Sequence, residues 1–320
     1  MMFQKLKSLD AKIHVMDGIL LLLLFFIPVT GCSTFTSIEK SSRKMVRNFR
    51  APDSDLKKRI GLTFFENKTT MADKELERRF REDLSKTIMS SCTAILLEKP
   101  GDSGYPDELT RIPRKDSGWI DNFDLARTGR RLGLNAILTG AFIDITSNNR
   151  KKGIWWFKDT HYYIQVHIAA QVYDTETGAK LLDEGFMHEI EIDEWDMESA
   201  HEDSEMKTSI LEKALENIAD DMGEKICSAI VLEPWKGFIA SIDADKIMIN
   251  SGSKVGLKSG DLFEVFDSSG IFEGTDGYRF FLPGPKTGEI KITAVYPDSS
   301  EAVLVSGHDI RPGFTVRKKD

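Results

Sequence analysis

Between residues 59 and 233, short apolar runs alternate with apolar stripes at helical spacing. Ile60-Gly61-Leu62-Thr63-Phe64-Phe65, bounded by Glu66-Asn67-Lys68, reads as a buried strand. Leu76, Phe80, Leu84 and Ile88, spaced at four behind Asp73, predict a helix whose apolar side faces a sheet. Ala94-Ile95-Leu96-Leu97 forms a second strand, and Pro100-Gly101 then opens a polar loop to Gly118, a length at which loops are often functional or disordered. A helix over Asn122–Leu132 stops at Gly133, and residues 136–142 form the third strand. Along residues 162–173, Ile164, Val166 and Ile168 alternate with Gln165, His167 and Ala169. Asp174-Thr175-Glu176-Thr177-Gly178 is a turn, Lys180–Ile192 returns, and Leu211, Leu215, Ile218, Met222 and Ile226 mark a closing helix.

Pro234 breaks that helix, and the pattern changes. Strands are predicted over residues 237–242, 246–250, 262–266, 288–295, 302–305 and 314–317, separated by Gly, Asp, Asn and Ser turns. The fold class is therefore α+β: a mixed β-sheet with packed helices over residues 59–233, then a small all-β barrel or sandwich over residues 234–320. Gly252, Gly256 and Gly260 sit between two of these strands, where positive φ and close chain approach favour Gly. They are structural turn residues and form no phosphate loop, because Leu257 precedes Lys258-Ser259 where a Walker motif needs Gly.

The amino terminus follows a different rule. Residues 19–29 are an unbroken apolar run, shorter than the ~20 residues of a membrane span, preceded by Lys5, Lys7 and Lys12. This is the layout of a signal peptide. Its end, Val29-Thr30-Gly31-Cys32, resembles the lipobox of bacterial lipoproteins. That resemblance implies removal of residues 1–31 and acylation of Cys32, a covalent lipid being the only attached group expected. In Gram-negative lipoproteins an Asp after the lipidated Cys retains the protein at the inner membrane. Ser33 at this position implies the outer membrane, facing the periplasm. The alternatives are an ordinary secretory peptide or an anchor helix. Residues 32–58, broken by serines and carrying Lys40, Arg43, Lys44, Arg47 and Arg50, read as a flexible basic tether, either lying on anionic lipid or simply solvated.

Removing residues 1–31 takes three lysines and two aspartates, moving the formal charge from −8 to −9. An acidic chain of this kind is a poor match for nucleic acid. Cys92 and Cys227 are the two remaining cysteines, both near helix ends. They form either a disulfide, which needs Cα atoms within ~7 Å, or two buried thiols.

Several stretches resemble a known family. Residues 60–67 are similar to the opening strand of TolB amino-terminal and CsgG-like periplasmic domains. Leu132-Gly133-Leu134-Asn135-Ala136-Ile137-Leu138-Thr139-Gly140 resembles their third strand, and Val172-Tyr173-Asp174-Thr175-Glu176-Thr177-Gly178 their hairpin turn. The middle domain of the flagellar assembly protein FlgT has the same look, and the run Ile247 to Val265 resembles the carboxy-terminal FlgT domain. The resemblance implies a non-enzymatic envelope scaffold, flagellar first, with a CsgG-like secretion assembly or regulation of peptidoglycan synthesis as alternatives. Implied partners are the membrane through its lipid anchor and envelope proteins, with a homo-oligomeric ring left open. A CsgG-type pore would add membrane-spanning strands between about residues 142 and 168. That region holds Asn148-Asn149-Arg150-Lys151-Lys152 and is read as only a short connection, so this chain is not expected to line a pore.

No catalytic or metal site is expected. His161, His167, His188, His201 and His308 are scattered, no Ser lies in a Gly-x-Ser-x-Gly setting, and no Cys-x-x-Cys occurs. Trp155-Trp156-Phe157, beside Arg150-Lys151-Lys152, is the unusual local feature. It reads as an aromatic contact for a partner or membrane at a hairpin tip, against the plainer reading of a Trp packed on the sheet edge.

Overall fold

The computed structural model describes residues 55–70, 74–195, 204–274 and 277–319. The expected signal peptide, Cys32, most of the tether and His201 lie outside them.

The first layer is built from β1 (Lys58–Asn67), α1 (Lys74–Ser91), β2 (Ile95–Glu98), α2 (Asn122–Leu132), β3 (Ala136–Ile154), β4 (Phe157–Asp174), β5 (Lys180–Ile192) and α3 (Ser204–Val231). The sheet order is β2-β1-β3-β4-β5. Strand β1 runs parallel to both neighbours, and β3, β4 and β5 are antiparallel, giving a mixed sheet. Alternation sends Ile164, Val166, Ile168, Ala170 and Val172 to one face, where α1 and α3 cover them. Phe65, Phe80 and Phe142 meet there edge to face at centroid distances of 5.2 to 6.3 Å. A disulfide joins Cys92, just past the end of α1, to Cys227 on α3, with Cα atoms 5.8 Å apart.

The opposite face carries a second core of Leu109, Leu125, Leu134, Ile137 and Tyr173 beneath α2. The loop after β2 is part of it. Leu109 is buried on a short 3-10 turn, and the Tyr105 hydroxyl donates to the Leu62 carbonyl at 2.8 Å. The connection expected after residue 142 is also replaced by structure, since β3 and β4 pair past a bulge at Ile143 all the way to Ile154↔Phe157.

The second layer is a closed six-stranded barrel, ordered β11-β12-β7-β6-β13-β8. It uses β6 (Gly237–Asp243), β7 (Lys246–Ile249), β8 (Leu262–Phe266), β11 (Lys286–Val295), β12 (Ser300–Gly307) and β13 (Thr315–Lys318). Between β8 and β11 a separate hairpin, β9 (Gly270–Glu273) with β10 (Arg279–Leu282), stacks Phe281 on Phe123 of α2. Gly256 and Gly260 take φ values of 100° and 95°, as turn glycines should. Gly252 differs: its backbone is extended at φ −143°, and a Cβ there would meet the Tyr296 carbonyl oxygen at 2.0 Å. Close approach is what demands glycine at that position.

Sheet and barrel keep separate cores but are tied together at their junction. Leu56 is buried in the barrel core beside Trp235 and Phe263, so the tether ends before residue 58. Two residues on, Lys58 donates to the carbonyls of Ile230 and Val231, at 2.9 and 3.0 Å, where α3 leaves its last acceptors open. The β4–β5 turn is buried between the layers. Asp174 holds its loop by accepting from the Thr177 amide, and Glu176 accepts both contacts from Arg317, at 2.7 and 2.9 Å. Lys236 sits between Asp174 and Glu176 at 2.8 and 3.2 Å, with Glu233 at 3.5 Å. Arg130 donates to the carbonyls of Thr175, Glu176 and, across in the barrel layer, Ser268. Burial pulls its guanidinium down to about 10, still charged at neutral pH.

Burial alone would lower the Lys236 ammonium, but Asp174, Glu176 and Glu233 hold it above its ordinary value of 10.5. Its contribution to stability is therefore complete below pH 10.5 and lost as pH rises through the raised value. Lys236→Met is expected to cost about 3–5 kcal/mol by leaving the buried Asp174 carboxylate without its cation, and to flatten the alkaline loss of stability above pH 10.5, both read from urea midpoints. Replacing Cys92 and Cys227 by Ser opens a loop with a sequence separation of 135 residues and is expected to cost about 2–5 kcal/mol, read as the difference in unfolding free energy.

Candidate functional site: an aromatic hairpin tip

Strands β3 and β4 outrun the sheet. Strand β5 accompanies β4 only as far as Tyr162↔Ile192, and from Arg150↔His161 onward β3 and β4 pair with each other alone. The segment from residue 145 to residue 158 holds Arg150, Lys151, Lys152 and Lys158 and no acid. An isolated two-stranded ribbon is marginal in water. This one is braced by charge across its strands.

Arg150, Lys152, Tyr163, Glu189 and Glu191 occupy one face by strand alternation. The Arg150 guanidinium donates to both oxygens of Glu189 at 3.0 and 2.6 Å, the forked geometry that makes such pairs strong. Glu191 accepts from Lys152 and Tyr163, each at 3.0 Å, and lies 2.5 Å from His161 Nδ1. Hydrogen bonds from His161, Lys152 and Tyr163 hold the Glu191 carboxyl down to about 2. Both cations also lie over the Tyr163 ring, at 4.9 Å from its centroid. The sequence contained this ladder as two sets of alternating charges, Arg150 with Lys152 and Glu189 with Glu191. Neither set announces its partner, which lies 39 residues away.

At the end of the ribbon stand Ile154, Trp155 and Trp156, exposed by 84%, 77% and 70%. Trp155 and Trp156 are the two turn residues, and Phe157 opens β4 by pairing with Ile154. The two indole rings lie 4.5 Å apart, tilted by 31°. Trp155 has φ of 61°, in the left-handed region that tight hairpins reserve for Gly, Asn or Asp. A bulky side chain there costs about 1–2 kcal/mol. Folding stability alone does not select Trp at this corner, and a strained residue of this kind points to function.

The other predicted positions do not converge. Cys92–Cys227 is a buried brace, Gly256 and Gly260 lie at turns, and Gly252 is held extended by close approach to Tyr296. His167 lies against Gly185, His188 is near Asn217, and His308 is beside Asp309. Among the described residues no three His, Cys, Asp or Glu side chains group as metal ligands. A cavity of about 520 Å³ lies between α2 and the barrel, lined by Arg127, Arg131, Ile239, Phe281 and Phe314. Among the described residues no helix is long and apolar enough to cross a membrane, which says nothing of strands.

Residues 244–311, within the barrel layer, match the family model of the flagellar assembly protein T, C-terminal domain. No curated protein matches the chain. Among solved structures, a hypothetical protein of Chlamydia trachomatis is 12% identical, with 54% of this chain and 99% of that one covered at a TM-score of 0.30. A Neisseria meningitidis lipoprotein is 9% identical, over 42% and 83% of the chains at 0.28. The PelC dodecamer of Paraburkholderia phytofirmans is 12% identical, over 57% and 94% at 0.29. Likenesses of this size have no bearing on function.

Trp155→Gly removes the left-handed strain together with an exposed ring. Its unfolding free energy is expected to stay the same or rise by up to about 1 kcal/mol, measured by denaturant titration. A fall in unfolding free energy would mean that the ring's packing on Trp156 supports the hairpin.

Proposed function

We propose that this chain is a lipid-anchored envelope scaffold without catalytic activity, serving a flagellar basal body at the outer membrane and docking a protein partner through Ile154, Trp155 and Trp156. The observation that carries the reading is the exposed Trp155 in a left-handed turn, since large rigid aromatics with little solvent cover dominate protein contacts. The charged ladder behind the tip keeps the ribbon ordered and polar, so apolar contact area is confined to its end. The match of residues 244–311 to the carboxy-terminal domain of flagellar assembly protein T supports the choice of machine. The signal run ending in Gly31-Cys32 supports anchoring at the first mature residue.

The test is affinity purification from crosslinked membranes, comparing the unaltered chain with Trp155→Gly combined with Trp156→Ala. Loss of a hot spot worth about 2 kcal/mol or more lowers affinity roughly thirtyfold. Flagellar basal-body proteins are expected with the unaltered chain and are expected to disappear from the double variant at equal protein levels. Recovery unchanged by the double variant would remove the tip from the docking role. Recovery of secretion or wall-synthesis proteins in their place would remove the flagellar assignment.

A further inference from the structure

The cavity between α2 and the barrel takes no part in the docking role, and its lining runs against the charge of the chain. The protein carries a formal charge of −8, yet the walls of this space of about 520 Å³ include Arg127, Arg130 and Arg131 and no acid. Arg127 and Arg131 stand one turn apart on α2, where like charges repel. Asp124 lies 3.1 Å from Arg127, and Glu108 lies 3.6 Å from Arg131, beyond hydrogen-bond reach. Both pairs are open to water, and ion pairs of that kind are weak enough to give way to another anion. Arg130 is buried and donates to three backbone carbonyls and to no carboxylate. On the barrel side Asp267 accepts from the amide and hydroxyl of Ser269, at 2.8 and 2.6 Å, and stays out of the lining. Ile239, Phe281 and Phe314, all buried, supply apolar surface. Volume and lining are those of small-molecule sites, which set a few charged groups among apolar walls.

We propose that this cavity binds a small organic anion with an apolar body, its carboxylate held between Arg127 and Arg131 and its body against Ile239, Phe281 and Phe314. The two halves of the ligand answer the two halves of the lining. A guanidinium matches a carboxylate with paired N–H donors, and an anion placed between Arg127 and Arg131 also removes their mutual repulsion. An inorganic anion would leave the apolar walls in water, whereas a neutral molecule of the same shape would leave both arginines without a new partner. A space walled on two sides and charged within also concentrates anions that an acidic surface would otherwise repel. None of Ile154, Trp155 and Trp156 lines the cavity, so the proposal stands or falls independently of the docking role.

The experiment is equilibrium dialysis of 2-naphthoate against the full chain in detergent, with detergent alone as the blank. Saturable binding at one site per chain is expected, with a dissociation constant below about 1 mM, weakening as salt is added. Arg127→Gln and Arg131→Gln are each expected to weaken it roughly tenfold or more, with unchanged thermal unfolding because both side chains are exposed. Ala240→Phe, which puts a ring into the lining, is expected to abolish binding without altering the charge. The neutral isostere 2-naphthamide is expected to bind roughly tenfold more weakly or worse, and inorganic phosphate at equal concentration to displace nothing. Trp155→Gly combined with Trp156→Ala is expected to bind 2-naphthoate unchanged. No saturable binding up to about 1 mM, or an affinity indifferent to both arginine variants, would overturn the proposal. Equal binding of the amide would overturn the anionic half, and displacement by phosphate the apolar half. A peptide ending in Phe that displaced 2-naphthoate at a far lower concentration would make the occupant a chain terminus and overturn the small-molecule assignment.

Discussion

The Asp174-Thr175-Glu176 turn is the point on which the two layers depend. Its carboxylates are buried, and buried carboxylates are tolerated only where cations and donors surround them. Lys236 and Arg317 from the barrel side supply that charge, while Arg130 from α2 ties the turn's carbonyls to Ser268. Removing Lys236 leaves Asp174 without a cation, and removing Arg317 leaves Glu176 with Lys236 alone. The arrangement thereby fixes the barrel against the sheet more specifically than apolar contact would, and Leu56 and Lys58 stitch the same two layers from the chain's other end.

That junction gives the ribbon its footing. Strand β4 runs without a break from the buried turn at Asp174 to the exposed tip, so the aromatic pair stands on the strand whose other end is held by the ion network. A docking element needs such support, because ordering a mobile loop on contact subtracts from the affinity gained. The ladder of Arg150, Lys152, Glu189 and Glu191 provides the remainder by holding the ribbon with charge on a face open to water. The same charges make that face unsuited to lipid contact along its length.

Most of the architecture was legible from periodicity. The α+β order, the long closing helix and six barrel strands follow from apolar spacing, and the barrel's resemblance to the FlgT carboxy-terminal domain agrees with the family match over residues 244–311. What escaped had no apolar period to show. Thr146, Asn148, Arg150 and Lys152 form strand by pairing across to polar partners, so the ribbon read as a connection. Leu56 is one apolar residue in a basic stretch, and nothing local marks it as core. The turn at Asp174 read as an ordinary hairpin because its chemistry is that of an exposed turn, and its burial is set by residues 62 and 141 positions away. Trp155 and Trp156 were visible as unusual, whereas the left-handed backbone that makes Trp155 informative was not.

The account rests on the tip being the place where this chain meets another protein. Site-specific photocrosslinking in living cells tests that directly, with a photoreactive side chain at position 155 and, as a control, at Met89, an exposed position on α1. The account predicts a discrete adduct with an envelope protein from position 155 and none from position 89. No adduct from position 155, or the same adducts from both positions, would contradict it.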